Sequence, residues 1–383
     1  MLGKKFTLFK LFGFQVQLDL SWLILGFLIS WSLALGLFPH YYPGFSKTTY
    51  WIMGVIGALG LLFSIVFHEL WHSLIARKFG LPMRGITLFI FGGVAEMSDF
   101  PPSPKTEFFM AVAGPISSIV LGMGLFGIHF LVKSAGWPMP INGVISYLAF
   151  LNLILAGFNI LPAFPLDGGR VLRAILWGLR DNIRWATKIA SKIGEGFGIA
   201  LIILGVIDLL FGNFVGGIWM ALIGLFLRNA SHMSFQQLIL RKALEGEPVK
   251  RFMASNPVTV SPDISIEDLV EDYVYKHHFK MYPVVEDGQL VGCVTLNQVK
   301  SIPKEKREEQ TVRDLVMECS ENNTISPDED ATKALTAMRK NHTSRLMVAD
   351  KGRLLGMVSL KDMMEFLSLK IDLEHEGKSN LGK

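Results

Sequence analysis

Long apolar stretches alternate with short polar segments through the first two thirds of the chain. A helix needs about 20 apolar residues to cross the hydrocarbon core of a bilayer. Four stretches reach that length, and two shorter ones follow them, joined only by Gly212 and Asn213. The pattern predicts six membrane-spanning helices, the last two forming a tight hairpin, at residues 20–38, 50–76, 107–132, 143–161, 195–211 and 214–228.

The first apolar stretch follows Lys4, Lys5 and Lys10, as the hydrophobic part of a signal peptide does. A signal peptide ends at a cleavage site of small residues. No such site follows this stretch cleanly, so an uncleaved first helix is the favoured interpretation and a signal peptide is the alternative.

The lysines and arginines between the predicted spans fall almost entirely on one side of the membrane. Cytoplasmic loops carry an excess of Lys and Arg. Only Lys47 and Lys133 lie in segments on the opposite side. The distribution predicts a multi-pass protein of the cell membrane with both termini in the cytoplasm.

Residues 84–97, between the second and third spans, contain two short β-prone stretches on either side of Gly92 and Gly93. This pattern is typical of a β-hairpin. An irregular loop at the membrane interface is the alternative.

The last third of the chain contains two copies of one pattern, at residues 252–300 and 315–367. Each copy runs through a β-prone segment ending in Ser-Pro-Asp, an amphipathic helix, a strand, a tight turn, a strand with Gly-x-x-Thr or Gly-x-x-Ser, and a helix. Self-similarity over about 60 residues indicates duplicated βαββα modules that bury their sheets against each other. The charged segment 301–311 is the predicted linker.

Charge separates the same two parts of the chain. Residues 1–248 contain 29 Lys, Arg, Asp and Glu, whereas the remaining 135 residues contain 41. The low charge of the first part excludes a fully soluble enzyme and a disordered chain, and two cysteines are too few for a disulfide-stapled secreted domain. The formal net charge of +4 arises in the membrane part, where it marks topology, so no nucleic-acid partner is expected.

Three ionisable residues lie inside the second apolar stretch, in the sequence His68-Glu69-x-x-His72. Two histidines four residues apart project from one face of a helix, which lets both imidazoles bind one Zn²⁺. Glu69 lies beside them, where it can accept a proton from metal-bound water. Ionisable groups are costly inside a membrane, so a functional role is expected, and a polar patch satisfied by neighbouring helices is the alternative.

A catalytic zinc has three protein ligands and one open position. Asp167 is the candidate third ligand, at the cytoplasmic end of the fourth span, with two prolines before it and two glycines after it. These residues predict an extended segment, which membrane depth tolerates only where it lines a cavity or packs on protein. A helix cap is the alternative role for this carboxylate.

These motifs resemble the site-2 proteases, a family of intramembrane zinc metalloproteases, in the subgroup with a C-terminal pair of cystathionine-β-synthase (CBS) modules. The resemblance covers nearly the whole chain and rests on His68-Glu69-x-x-His72, Ala113-Gly114-Pro115 and the segment 159–169. It implies a polytopic α-helical membrane protein with a small membrane-associated β-hairpin, joined to an α/β tandem CBS domain.

The resemblance also implies a role for each matching residue. His68, His72 and Asp167 would bind one zinc ion per chain, and Glu69 would be the general base. Asn159 matches an asparagine near the active site that orients the substrate backbone or the oxyanion. The hairpin would receive the substrate as an added strand.

The resemblance implies a protease domain followed by two regulatory modules. The implied boundaries are 1–248 for the transmembrane protease domain, 249–300 for the first CBS module, 301–311 for the linker, 312–372 for the second CBS module and 373–383 for a flexible tail.

The resemblance to CBS modules implies adenine-nucleotide binding through a Gly-x-x-Thr/Ser-x-x-Asp stretch, which the second copy matches at Gly356, Ser359 and Asp362. The first copy has the glycine and Thr295, but Gln298 replaces the ribose-binding carboxylate. One competent cleft for ATP or another adenine nucleotide is therefore expected. The pair is also expected to join chains into a homodimer or higher oligomer, and a purely structural or dimerising pair is the alternative.

The sequence thus predicts a zinc metalloendopeptidase that cleaves a membrane-spanning protein in or near its transmembrane segment, modulated by the CBS pair. One alternative is a CBS-regulated transporter or channel, which would leave the His-Glu-His motif and Asp167 unexplained. A second alternative is an inactive membrane scaffold, which the intact set of ligands and base disfavours.

Overall fold

The computed structural model describes residues 5–81, 83–89, 92–97, 101–341 and 343–366. The chain divides into two compact units, residues 1–236 and 237–383, which are taken in turn. The predicted flexible tail, residues 373–383, lies outside the described residues.

Six helices among the described residues are long and apolar enough to cross a membrane, as predicted. A shorter helix, α5, lies between the fourth and fifth of them. In chain order the helices are α1 (Leu20–Tyr41), α2 (Lys47–Lys78), α3 (Pro104–Ser134), α4 (Met139–Ile160), α5 (Asp167–Arg180), α6 (Ile183–Leu210) and α7 (Phe214–Leu244).

The fifth and sixth spanning helices are longer than the sequence predicted. Helix α6 begins at Ile183 rather than at 195, and α7 ends at Leu244 rather than at 228. Both extensions carry charged residues, so they fall outside a search for apolar stretches although their backbone remains helical. Asn182 caps α6, since its side chain accepts a hydrogen bond from Trp185 N.

The predicted hairpin is half of a four-stranded sheet of order β1-β2-β3-β4. A first hairpin, β1 (Lys5–Leu11) and β2 (Phe14–Asp19), turns at residues 12 and 13 and was missed because its lysines were interpreted as the start of a signal-like segment. The second hairpin is β3 (Met83–Phe89) and β4 (Gly92–Met97), and β3 pairs with β2 in parallel.

The sheet lies against α2 and α1 because β2 alternates apolar and polar residues. Phe14, Val16 and Leu18 are buried, with two glutamines between them at intermediate exposure. Strands that face a core on one side show this period of two. The apolar side chains pack in one cluster with residues of α1 and α2, including Trp22, Leu25, Ile65, Val66 and Leu70.

Helices α6 and α7 approach each other along facing glycines. A Cβ at Gly198 would lie 2.7 Å from the carbonyl oxygen of Gly224, and one at Gly205 would lie 2.6 Å from that of Gly217. Small residues allow such close backbone packing between helices in a membrane. The pair is therefore fixed at a spacing that side chains would prevent.

The second unit contains the two predicted copies, and both follow the predicted order of elements, with one exception. The residues just before Ser-Pro-Asp in the first copy form only a single bridge, between Val260 and Val284. The first copy has the helical segment α8 at 266–277, the strands β6 (Met281–Glu286) and β7 (Gln289–Thr295), and α9 (Leu296–Lys300). The second has β9 (Thr324–Ile325), α10 (Ala331–Lys340), β10 (Arg345–Asp350), β11 (Arg353–Ser359) and helical residues 360–366.

Two short strands are exchanged between the copies, which the sequence did not predict. The strand β5 (Ala254–Ser255) lies in the first copy but pairs with β11 of the second, and β8 (Met317–Glu318) lies in the second copy but pairs with β7 of the first. Gly292 and Gly356 make this possible. A Cβ on either would lie within 2.6 Å of a carbonyl oxygen of the exchanged strand.

The last residues of α7 belong to the core of the second unit. Leu240, Ala243 and Leu244 are buried in one cluster with strand residues of the second copy, among them Leu346 and Val348. The backbone N–H of Gly246 donates to Asp330 Oδ2 at 2.7 Å. The second unit therefore includes the last turns of α7, which were predicted to belong to the protease domain of residues 1–248.

Candidate metal centre

Three side chains converge inside the membrane unit, from two elements far apart in the chain. Helix α2 supplies His68 and His72 one turn apart, and the first residue of α5 supplies Asp167. Asp167 Oδ2 lies 3.0 Å from His68 Nε2 and 3.1 Å from His72 Nε2. All three residues are buried, and their ligand atoms lie within 4.8 Å of one another.

Contacts on the far side of each imidazole orient the ring. His72 Nδ1 donates to the carbonyl oxygen of Met110 at 2.6 Å, so in the neutral imidazole the lone pair belongs to Nε2, which faces Asp167. His68 Nδ1 lies 2.9 Å from Ser118 Oγ. Metal-binding histidines commonly hold their second nitrogen in this way. Sequence reasoning missed Met110 and Ser118, because nothing in an apolar stretch marks which residue faces a histidine.

Gly114 of the Ala-Gly-Pro motif lies next to both histidines. A Cβ at this position would lie 2.2 Å from His72 Nε2 and 2.5 Å from His68 Nε2. The glycine therefore leaves space in front of both ligand nitrogens. Two imidazole nitrogens, one carboxylate oxygen and that space fit a tetrahedral zinc ion with one open position.

The segment before Asp167 folds back on the end of α4. A Cβ at Gly168 would lie 2.0 Å from the carbonyl oxygen of Ile160, and one at Gly169 would lie 2.3 Å from Phe164 N. Both glycines are required by this close backbone approach. Leu166, rather than Asp167, occupies the N-cap position of α5. The Asp167 carboxylate therefore contacts the two histidines and does not cap α5, which was the alternative role.

Glu69 follows His68 on α2 and lies beside strand β4. It is partly exposed, whereas the two histidines are buried. A Cβ at Gly93 would lie 2.5 Å from Glu69 Cγ and 3.1 Å from Oε1. Strand β4 therefore packs so closely on Glu69 that a side chain at position 93 would displace the glutamate.

Asn159 lies in the last turn of α4 and is partly exposed. Its Nδ2 donates to the carbonyl oxygen of Leu155 at 2.9 Å, a bond within its own helix. A second asparagine, Asn152, is fully buried and donates to Ser64 Oγ at 2.9 Å, one turn before His68 on α2. Sequence reasoning missed Asn152, although an amide inside an apolar stretch signals a buried hydrogen bond.

In the CBS pair, three of the predicted nucleotide-binding residues, Thr295, Ser359 and Asp362, take part in helix caps, whereas Gly356 lies in β11. Ser359 N and Oγ both donate to Asp362 Oδ2, at 3.1 and 2.6 Å. Thr295 N and Oγ1 donate to Gln298 Oε1 in the same way, at 2.8 and 2.7 Å. Glutamine thus replaces the carboxylate as a cap, while its Nε2 donates to the carbonyl oxygen of Leu315.

Cys293 lies in the core between the two sheets of the second unit and is fully buried. Burial raises the pKa of its thiol to about 11. The group therefore stays protonated at neutral pH and behaves as a small apolar side chain.

Two family models match the chain. The model described as Peptidase family M50 matches residues 56–141 and 133–205, which include both histidines and Asp167. The model described as CBS domain matches residues 249–304 and 312–369.

Several curated relatives match over nearly their whole length. Zinc metalloprotease MJ0392 from Methanocaldococcus jannaschii is 34% identical over 374 residues, which cover 97% of this chain and 98% of that protein. Rip3 from Mycobacterium tuberculosis, named as a zinc metalloprotease, is 32% identical over 362 residues, which cover 94% of this chain and 92% of that protein.

Among solved structures, the site-2 protease from M. jannaschii matches with 33% sequence identity and a TM-score of 0.40. The match covers 60% of this chain and 94% of that one.

Proposed function

Because this chain belongs to peptidase family M50, the zinc metalloproteases of the site-2 protease type, and carries a CBS pair, we propose that it hydrolyses a peptide bond in or next to a membrane-spanning segment of a protein substrate. The supporting observation is the convergence of His68, His72 and Asp167, buried among helices that are apolar enough to cross a membrane. Those three residues are the proposed zinc ligands.

Zinc bound there would polarise the scissile carbonyl and lower the pKa of a coordinated water. Glu69 is the proposed general base, taking the proton of the attacking water and returning it to the leaving amine. The closeness of Glu69 to Gly93 supports this role, because it puts the carboxylate beside β4, the edge strand of the sheet among the described residues. A substrate strand paired with that edge would expose its backbone to the base. Asn159 is proposed to orient the substrate backbone or the oxyanion.

The direction of the chain in the membrane is also proposed, with both termini in the cytoplasm. Arg77 and Lys78 end α2 at the side where basic residues accumulate. His68 lies nine residues before Arg77, about 13 Å along the helix at 1.5 Å per residue. Water would reach the site from the cytoplasmic side.

The test is cleavage of a reporter that contains one helical membrane span by purified protein in lipid nanodiscs. Glu69→Gln is expected to retain zinc and to abolish cleavage, and 1,10-phenanthroline is expected to abolish cleavage by the wild type. Glu195→Gln, on α6, is the matched control and should cleave normally. Full activity of Glu69→Gln would remove the base assignment. A wild type that holds zinc but leaves the reporter intact would favour the scaffold alternative.

We further infer that the CBS pair, proposed to occupy residues 249–372, binds an adenine nucleotide at the second copy and thereby modulates cleavage. The support is the Gly356, Ser359 and Asp362 pattern within a matched CBS domain. Titration of the full chain with ATP, ADP and AMP tests it. Asp362→Asn should weaken binding, whereas Gln298→Asn in the first copy should not. No heat signal with any of the three would leave the pair a structural or dimerising module.

A further inference from the structure

We propose that Ser231, Arg173 and Glu107 are positioning residues for Asp167, which they hold in place through Phe164, three residues before it. The inference rests on the proposed role of Asp167 as a zinc ligand. Phe164 lies in the irregular segment between α4 and α5, so contacts from other elements must fix it.

The carbonyl group of Phe164 is held by the two last spanning helices of the membrane unit. Ser231 Oγ, on α7, donates a hydrogen bond to this carbonyl oxygen, and Ser231 is fully buried. On α6, a Cβ at Gly194 would lie 2.0 Å from the same oxygen. The backbone of the ligand segment therefore packs against α6 and is bonded to α7 through the Ser231 hydroxyl group.

The aromatic ring of Phe164 is held by a buried ion pair. The Arg173 guanidinium lies 4.8 Å from the ring centroid, within the range of a cation–π contact. Arg173 Nε donates to Glu107 Oε1 at 2.7 Å, and Nη2 donates to the same oxygen. Both charged residues are buried. A buried pair of this kind needs favourable geometry at both partners, so it fixes the position of α5 relative to α3.

The ion pair ties α5 to the face of α3 that already supports the histidines. Residues three, seven and eleven positions after Glu107 share its face of the helix. These residues are Met110, Gly114 and Ser118. The carbonyl of Met110 orients His72, Gly114 leaves space in front of both ligand nitrogens, and Ser118 lies beside His68. One face of α3 thus sets the positions of all three ligands, two directly and one through Arg173.

The first test compares two serines on one helix. Ser231→Ala removes only the hydroxyl group that holds Phe164, whereas Ser234→Ala removes a hydroxyl bonded to Ala230 O within α7. Zinc affinity of the full chain in detergent is measured by competition with a chromophoric chelator. We expect Ser231→Ala to bind zinc ~10-fold more weakly than wild type, in the range seen for residues that support metal ligands. Ser234→Ala should match wild type.

The second test compares two glycines of α6. Gly194→Ala would press a methyl group against the Phe164 carbonyl, whereas the same methyl at Gly196 meets open space. We expect weaker zinc binding and a changed visible spectrum of the Co²⁺-substituted protein for Gly194→Ala, with Gly196→Ala unchanged. Thermal unfolding of the metal-free variants identifies any that fail to fold.

The ion pair is tested by Glu107→Gln and Arg173→Lys. We expect both variants to lower kcat for reporter cleavage at unchanged KM, because glutamine removes the charge of Glu107 and lysine lacks the planar guanidinium that contacts both Glu107 and Phe164. Wild-type zinc affinity, cobalt spectrum and kcat in folded Ser231→Ala and Glu107→Gln would overturn the inference. That outcome differs from failure of the proposed function, in which the wild-type chain itself would bind no zinc or cleave no reporter.

Discussion

The two sides of the metal centre are placed by different means. His68 and His72 lie on α2, a regular helix, where a spacing of four residues is enough to bring both imidazoles to one face. Asp167 follows an irregular segment whose position depends on contacts with α6 and α7. The two ligands on the helix therefore follow from local geometry, whereas the ligand after the loop depends on residues far away in the chain.

The largest effect is expected from a substitution that fills the space between the two histidines and Asp167. Gly114→Ala would put a methyl group 2.2 Å from His72 Nε2, where a zinc ion would bind. We expect a loss of zinc affinity of at least ~100-fold and no cleavage. The control is Gly124→Ala on the same helix, where a Cβ meets open space. Zinc-loaded Gly114→Ala protein would contradict the placement of the metal between these three side chains.

The next substitution tests proton transfer by Glu69 separately from zinc binding. Gly93→Ala would push a methyl group against Glu69 and move its carboxylate, while leaving the ligands in place. We expect kcat to fall by ~100-fold, as misplacing a catalytic group by about 1 Å can do. Zinc content, measured by atomic absorption on the same preparation, should equal that of wild type. An unaffected kcat would mean that β4 does not fix the base.

A change at the loop side should act on zinc binding through Asp167. Gly168→Ala would bring a Cβ to 2.0 Å from the Ile160 carbonyl oxygen, so the start of α5 must shift. We expect zinc affinity to fall by about 10- to 100-fold. Gly178→Ala, near the end of the same helix, places its Cβ at an ordinary 3.6 Å from Pro104 Cβ and should bind zinc normally. Equal affinities for both variants would remove the proposed dependence of Asp167 on its loop.

The smallest effect is expected on the helix side. Ser118→Ala removes the hydroxyl 2.9 Å from His68 Nδ1, but α2 still holds the ring close to its place. We expect a loss of zinc affinity of about 10-fold or less. The reference variant is Ser134→Ala, whose hydroxyl bonds to its own helix at the far end of α3. A larger loss for Ser118→Ala than for Gly168→Ala would reverse the comparison.

Much of the fold followed from patterns that extend over neighbouring residues. Six spanning helices, the second hairpin and the repeated order of elements in the second unit were all predicted. The first hairpin was not, because lysines and short apolar residues before a hydrophobic stretch fit a signal-like segment equally well. The exchange of β5 and β8 was not predicted either, since two-residue strands leave no periodic pattern.

The candidate site shows the same division. His68, Glu69, His72 and Asp167 were identified from residue type and spacing, and the structure brings the two histidines and the aspartate together. Ser118 and Asn152 were missed, because serine and asparagine in an apolar helix reveal their partners only once the helices are packed. The motif glycine Gly114 was noticed as part of a resemblance, but its physical role appeared only from its distance to the histidines.

The sequence by itself determined the membrane spans, the helical pairing of His68 with His72 and the duplication in the tail, because hydrophobic length, helix period and repetition are local properties. Only the tertiary structure decided that Asp167 contacts His68, 99 residues away in the chain. It also decided that Gly114 leaves space beside the histidines and that Ser231 bonds to the segment before Asp167. Such contacts depend on how whole helices pack, which no short stretch of residues specifies.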